Sequence, residues 1–320
     1  MEHRHRRLAM VGALVGGVFT SIQGRMNGRL SAQLGVPLEA ALWSFGSGLV
    51  VLSLLVLAVP AVRRGLARVR ASLAEGGLRW YQCIGGLAGA LFVAAQSLSV
   101  PLIGVALFTV ASVAGQTASG LVVDRLGIGP GGPKPVHLNR IAAAVIALVG
   151  VVISVWDRLG GGEFDPIPLL VSLVVGGLVA VQQGTNGRVN IASRNVLSTT
   201  FMNFVTGTTL LVVIALVRLA TGSLTLVSPA GRDVPWWAWF GGLIGIAFIA
   251  MSAWAVRHLG VLVFGLVLLT GQVISAVVLD LLSPQTRDLV TTHVVVGVLV
   301  TVAAAAMAAW FARPGRTVAR

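Results

Sequence analysis

Two short runs carry the side chains best suited to binding a solute. They are Gln23-Gly24-Arg25-Met26-Asn27-Gly28-Arg29 and Gln182-Gln183-Gly184-Thr185-Asn186-Gly187-Arg188. The shared pattern is Gln-x-x-x-Asn-Gly-Arg. A carboxamide both donates and accepts hydrogen bonds, so it can hold a polar group without supplying a charge. Residues three, four and seven apart on a helix share a face. Thr20, Gln23, Asn27 and Ser31 make one such stripe, and Gln182, Asn186 and Asn190 a second. Thr109, Ser112, Gln116 and Ser119 make a third, and Gly265, Gln272 and Ser275 a fourth. Ser44 and Asn203 stand at matching places in the apolar segments that follow the two motifs. Polar stripes on apolar helices face a cavity or another helix. We therefore expect Gln23, Asn27, Ser44, Gln116, Gln182, Asn186, Asn203 and Gln272 to line a hydrated substrate pathway. The plainer reading is interhelical hydrogen bonding, worth about 0.6–2 kcal/mol per bond. Gly28 and Gly187 have two readings as well: a helix break that lets backbone reach a ligand, or close packing and capping.

The charged residues suggest gates. Arg29 and Asp280 fall near one membrane face, and Arg188 and Asp124 near the other. Each arginine thus meets a carboxylate from the opposite half at its own depth. The expectation is two ion pairs, Arg29–Asp280 and Arg188–Asp124, that form in alternation. Breaking a half-buried pair costs several kcal/mol, which the other pair must return. The bland alternative puts each charge in the headgroups, with Arg29 near Glu39 and Asp124 beside Arg125. Catalysis and metal binding find no support. His3, His5, His137, His258 and His293 lie in the basic tail or at helix ends, with no ligand spacing. The lone Cys83 excludes an internal disulfide. The run from Gly127 to Pro135 lacks the Gly-Lys-Ser/Thr of a phosphate loop. No cofactor and no enzymatic activity are expected.

The elements that carry these residues follow from composition. The 320 residues are 56% hydrophobic and only 10% charged, with a mean hydropathy of +0.92. A soluble domain carries about a quarter charged residues, so this is an all-α integral membrane chain in contact with the bilayer. Apolar spans fall near 9–31, 38–62, 79–98, 101–123, 140–157, 167–190, 196–220, 235–256, 259–282 and 292–312. Pro101 predicts a tight turn between the third and fourth. Residues 159–166 read as a linker on the outer (periplasmic) side. It separates a first five-span unit, 1–158, from a second, 167–320. The net charge of +13 comes from basic residues between spans, where they orient the chain. With both termini in the cytoplasm, about 17 of the 23 Lys and Arg lie inside. That placement argues against nucleic acid as a partner. The basic start imitates a signal peptide, but the same segment recurs near 168–190, which argues against a cleaved leader.

The two units match in order. Ser44-Phe45-x-x-Gly48 pairs with Asn203-Phe204-x-x-Gly207, and Trp80, Gly85, Gly86, Gly89 and Phe92 pair with Trp236, Gly241, Gly242, Gly245 and Phe248. Gly115, Gln116 and Asp124 pair with Gly271, Gln272 and Asp280. The match of the fifth span to the tenth is weak. Five spans is an odd number, so the second unit must be inverted relative to the first, as in secondary transporters. The motif Gln-x-x-x-Asn-Gly-Arg, followed by Ser/Asn-Phe-x-x-Gly, resembles the YdcZ-like branch (formerly DUF606) of the drug/metabolite transporter superfamily. The resemblance covers both halves. It implies ten transmembrane helices in two inverted five-helix repeats, an inner-membrane location and export of small molecules. No carboxylate sits at the centre of a span, so the mid-membrane Glu of the superfamily's small multidrug exporters has no equivalent here.

The leading reading is a secondary transporter of the cytoplasmic membrane that exports a small polar or amphipathic metabolite by alternating access. A lipid flippase and a membrane-embedded lipid-modifying enzyme are the rivals. The enzyme would need a cluster of His, Asp or Glu at one membrane face. Duplication makes one chain sufficient, so a functional monomer is expected, with a homodimer as the alternative.

Overall fold

In a computed structural model of the chain, residues 2–130, 132–133, 135–136, 138–157, 165–223 and 232–311 are described. The linker expected at 159–166 lies mostly outside them. The described residues form helices and turns without strands. In order these are α1 (Glu2–Leu34), α2 (Pro37–Ala58), α3 (Pro60–Ala74), α4 (Gly86–Leu126), α5 (Leu138–Val155), α6 (Ile167–Ser193), α7 (Val196–Ala220), α8 (Gly241–Leu281) and α9 (Thr292–Phe311). Two 3-10 turns, Trp80–Cys83 and Trp236–Phe240, lead into α4 and α8. Five segments are long and apolar enough to cross a membrane, and four shorter helices are apolar as well.

Two of the expected spans are joined in α4. Its 41 residues would extend about 60 Å if straight, twice the bilayer core. Gly104, at φ 82° and ψ 166°, breaks it. That backbone conformation is open to glycine alone. Contacts with α6 show what the break does. Ser99 bonds the carbonyl of Pro168, while Gly85 faces Gln182 and Asn186, so the first half runs against α6. Gly115 meets Leu173 and Gly177, and Val123 meets Gly184, so the second half runs along it. The chain reverses at Gly104, three residues beyond the turn expected at Pro101. α8 behaves alike against α1. Gly241 and Gly245 face Asn27 and Gln23, whereas Leu268 and Gln272 face Gly17 and Ser283 bonds Arg25. Its two ends run in opposite directions.

Glycines set the closest approaches. A Cβ on Gly17 would strike the carbonyl of Leu268, and one on Gly271 that of Leu14. The same exchange joins Gly115 to Leu173 and Gly176 to Ser112. Small residues let helix backbones touch where lipid provides no hydrophobic drive. α5 and α9 pack together through Gly150 and Gly297.

The stretch after the second span, read only as a basic connection, is the amphipathic helix α3. Val62, Gly65 and Val69 are buried on one face, and Arg63, Arg64 and Arg70 are exposed. Arg68 donates to the carbonyl of Ser193 at 3.2 Å. That face packs on the protein: Gly65 meets Asn195 and Ser198 at the start of α7, and Val69 clusters with Val189 of α6. The apolar stripe recurs at helical spacing (62, 65, 69), but the arginines masked it in a search for continuous apolar runs.

Candidate functional site

The second motif sits on the inner face of α6, where α7 and the start of α4 meet it. Asn203 of α7 is the hub. Its Nδ2 donates to Asn186 Oδ1 at 2.9 Å and to the carbonyl of Thr199 at 3.0 Å. Its Oδ1 accepts from Gln182 Nε2 at 3.0 Å. Gly85 and Gly89, at the entrance of α4, leave room for Asn186 and Gln182. The three expected residues Gln182, Asn186 and Asn203 are thus one cluster, and their carboxamides satisfy each other.

The first motif has the same frame and a different outcome. Asn27 of α1, Ser44 of α2 and Gln23 face the first turn of α8, where Gly241 and Gly245 leave room for them. Asn27 is 0% exposed and Ser44 2%. Asn27 Nδ2 donates to Gln96 Oε1 at 3.1 Å. Asn27 Oδ1 and Ser44 Oγ have no hydrogen-bond partner. The difference lies in one residue. Where the second cluster has Asn203, the first has Ser44, whose side chain is too short to bridge to Asn27. A buried acceptor left unpaired costs about 1–3 kcal/mol.

The two clusters are separate. Gln96 belongs to one and Gly85 to the other, and the rise between them along α4 is about 16 Å. Phe45 and Phe204, the residues after Ser44 and Asn203, bring α2 and α7 together. Their rings lie 5.0 Å apart at 34°. Each ring covers a glycine of the opposite helix, Phe45 on Gly207 and Phe204 on Gly48. The expected single amide-lined pathway is therefore two polar levels flanking α2 and α7, which the phenyl pair joins. Gln116 is half-buried on α4, outside both clusters. Gln272 is buried, and its carbonyl accepts from Ser21 at 2.7 Å.

Asp280 takes partners other than the expected Arg29. Asp280 is 1% exposed. Its oxygens accept from the backbone N–H groups of Val105 at 3.0 Å and Ala106 at 2.7 Å. These amides are free because Gly104 breaks α4, which leaves the first amides of the new helical segment without carbonyls. A helix N-terminus also favours an anion. Arg25, one turn before Arg29, is the arginine close enough to act on this carboxylate. It donates to Ser283, to Thr286 at 3.3 Å and to Gln285 at 3.4 Å. The Arg29–Asp280 ion pair is thus replaced by a backbone cradle. Arg188 donates Nε to the carbonyl of Ile128 and Nη2 to that of Gly127, both at 2.7 Å. These two partners are carbonyls that follow α4. Such carbonyls are the ready acceptors at a helix C-terminus.

Gln96 and Arg25 are the site residues that sequence reasoning missed. Gln96 has no carboxamide at the matching place in the second half, where Ser252 stands, so a search for repeated residues passes over it. Arg25 stands within the first motif but opposite Gly184 in the second. Among the described residues no group of His, Cys, Asp and Glu could hold a metal ion.

The family described as "Putative inner membrane exporter, YdcZ" matches residues 8–153 and, a second time, residues 167–307. No curated protein matches. A solved structure described as "Crystal structure of protein" aligns over 96% of this chain and 97% of its own, at 19% identity and a TM-score of 0.48.

Proposed function

Since this chain belongs to the YdcZ family of the drug/metabolite transporter superfamily, we propose that it is a secondary exporter of a small polar or amphipathic solute. It crosses the inner membrane ten times, as two inverted five-helix repeats, 1–158 and 167–320, joined by a linker at 159–166. The ten spans are α1, α2, both halves of α4, α5, α6, α7, both halves of α8, and α9. α3 lies at the cytoplasmic surface, and both termini are cytoplasmic. One chain is the working unit.

The reciprocity of the contacts carries this reading. Phe45 sits on Gly207 as Phe204 sits on Gly48. Gly86 abuts the carbonyl of Asn203, and Gly242 that of Ser44. Gly85 faces Asn186, and Gly241 faces Asn27. These three contacts between halves thus each occur twice with the roles exchanged, as a two-fold relation between repeats would give. Two packings of equal chemistry have similar energies, so small solute-dependent differences can select between them. Alternating access follows when the two amide clusters open in turn. In this orientation the Asn27 cluster is on the periplasmic side and the Asn186 cluster on the cytoplasmic side. The Asp280 cradle takes the gating place that the Arg29–Asp280 pair was expected to fill, and the Arg188–Asp124 pair, with Arg188 also holding the carbonyls of Gly127 and Ile128, takes the other. No observation favours the lipid flippase or the lipid-modifying enzyme.

The test uses proteoliposomes, with solid-supported-membrane currents and an internal pH dye, across amides, amines, amino acids, sugars and organic acids. An Asn27→Ala/Asn186→Ala double variant is the control. A response that the variant loses is expected; a response equal in both would refute the assigned pathway. Orientation has its own check. Cys83, the single cysteine, precedes α4 on the side of α3. A membrane-impermeant maleimide should label it in inside-out vesicles and not in intact spheroplasts. Labelling in spheroplasts would reverse the orientation.

A further inference from the structure

We propose that the cluster of Gln23, Asn27 and Ser44 recognises a primary carboxamide edge on the transported solute, with the first turn of α8 as its cover. The proposal rests on the transporter reading above.

The second half supplies the template. There the carboxamide of Asn203 donates to Asn186 Oδ1 and accepts from Gln182 Nε2. In the first half the corresponding acceptor, Asn27 Oδ1, and the corresponding donor, Gln23 Nε2, are both present. The carboxamide between them is missing, because Ser44 stands where Asn203 stands. Asn27 Oδ1 and Ser44 Oγ are consequently buried without partners. A solute carboxamide restores the set. Its NH2 donates to Asn27 Oδ1 and Ser44 Oγ, and its carbonyl accepts from Gln23 Nε2. None of the hydrogen bonds made by these residues involves a carboxylate, so a neutral edge fits better than an ammonium group. A site built to hydrogen-bond an N–H rejects analogues that lack it, because its buried groups are then left unpaired.

The cover is visible in the same contacts. A Cβ on Gly241 would strike Asn27 Oδ1 and lie 3.2 Å from Ser44 Oγ. One on Gly245 would lie 2.8 Å from Gln23 Nε2. These glycines are one turn apart on one face of α8, so that turn rests directly on all three groups. Trp43, beside Ser44, donates Nε1 to the carbonyl of Trp239 at 2.8 Å and holds the approach to α8 in place. Solute entry requires this turn to lift.

The test is made on the full chain purified in detergent, by thermal unfolding. The probes are acetamide, glycinamide and nicotinamide, each against its N,N-dimethyl analogue, which keeps the carbonyl and cannot donate. A primary amide should raise the melting temperature of the native protein, and the dimethyl analogue should not. Ser44→Asn installs the missing carboxamide in place of the solute's. It should melt above the native protein and lose the amide response. The proposal is overturned if no primary amide shifts the native protein, if the dimethyl analogues shift it equally, or if Ser44→Asn keeps the response. A more stable Ser44→Asn with an amide-insensitive native protein would assign the position to water alone, which also overturns it. If Ser44→Asn does not fold, the comparison of amide with dimethyl amide on the native protein decides. Unfolding needs no transport, so amide binding without flux would leave this inference standing and refute the exporter reading instead.

Discussion

Replacing Asp280 by Asn should destabilise the fold at the turn where Gly104 breaks α4. Two consecutive amides, Val105 N–H at 3.0 Å and Ala106 N–H at 2.7 Å, donate to separate oxygens of this carboxylate. A hydrogen bond to a charged group contributes about 1.5–3 kcal/mol. Asn keeps one acceptor oxygen, so one bond survives in a weaker, neutral form. Its NH2 must face the other N–H, and leaving that buried donor unpaired costs about 1–3 kcal/mol. Relief from burying a charge offsets part of the loss. The balance is a net loss on the order of 2–3 kcal/mol, or a fall in melting temperature of roughly 3–5 °C for a chain of this length. Unfolding followed by the fluorescence of the eight tryptophans measures it. Hydrogen exchange should localise the effect, with faster exchange in the peptide that contains Val105 and Ala106 and little change in α7. If Asp280→Asn melts within about 1 °C of the native protein, with those amides still protected, the cradle does not hold the turn at Gly104 and the reasoning fails.

Gly48→Ala and Gly207→Ala should cost similar amounts. At Gly207 a Cβ would lie 2.8 Å from both Phe45 Cδ1 and the carbonyl oxygen of Gly86, and at Gly48 it would lie 2.9 Å from Phe204 Cδ1. Overpacking of this kind costs about 1–3 kcal/mol, more than the roughly 1 kcal/mol that Ala gains in a helix. Melting curves that show one variant unaffected would break the claimed reciprocity. Asn203→Ala removes the hub of its cluster and strands Asn186 Oδ1 and Gln182 Nε2, with an expected loss of about 2–4 kcal/mol. Ser44→Ala removes a hydroxyl that already lacks a partner and should be neutral or slightly stabilising; equal losses in both variants would contradict the asymmetry between the clusters.

Much of the architecture was legible because lipid imposes a simple rule. Every backbone group must be satisfied within its own segment, so an apolar run of sufficient length becomes a helix. The helices begin and end close to the expected places, and α7, Val196–Ala220, coincides with its span. Repeated rare residues also placed Gln182, Asn186 and Asn203 among the eight residues expected to line one pathway, without singling them out as a group. α3 escaped because four arginines on its exposed side interrupt the apolar run along the chain, a pattern that reads as a charged loop until helical spacing is applied.

The sequence by itself determined the class, most of the apolar helices and the family, since these depend on composition, periodicity and a motif. It also supplied the inventory of carboxamides. Only the tertiary structure decided which of them meet. Asn186 is paired and Asn27 Oδ1 is not, although their motifs match, because one side chain contributed by a neighbouring helix differs in length. Asp280 binds amides rather than Arg29 for a related reason. A break at Gly104, 176 residues away in the chain, exposes two N–H groups at the carboxylate's own level. Hydrogen bonds are short-ranged and directional, so partners depend on ångström-scale placement across helices, which spacing along one helix does not encode.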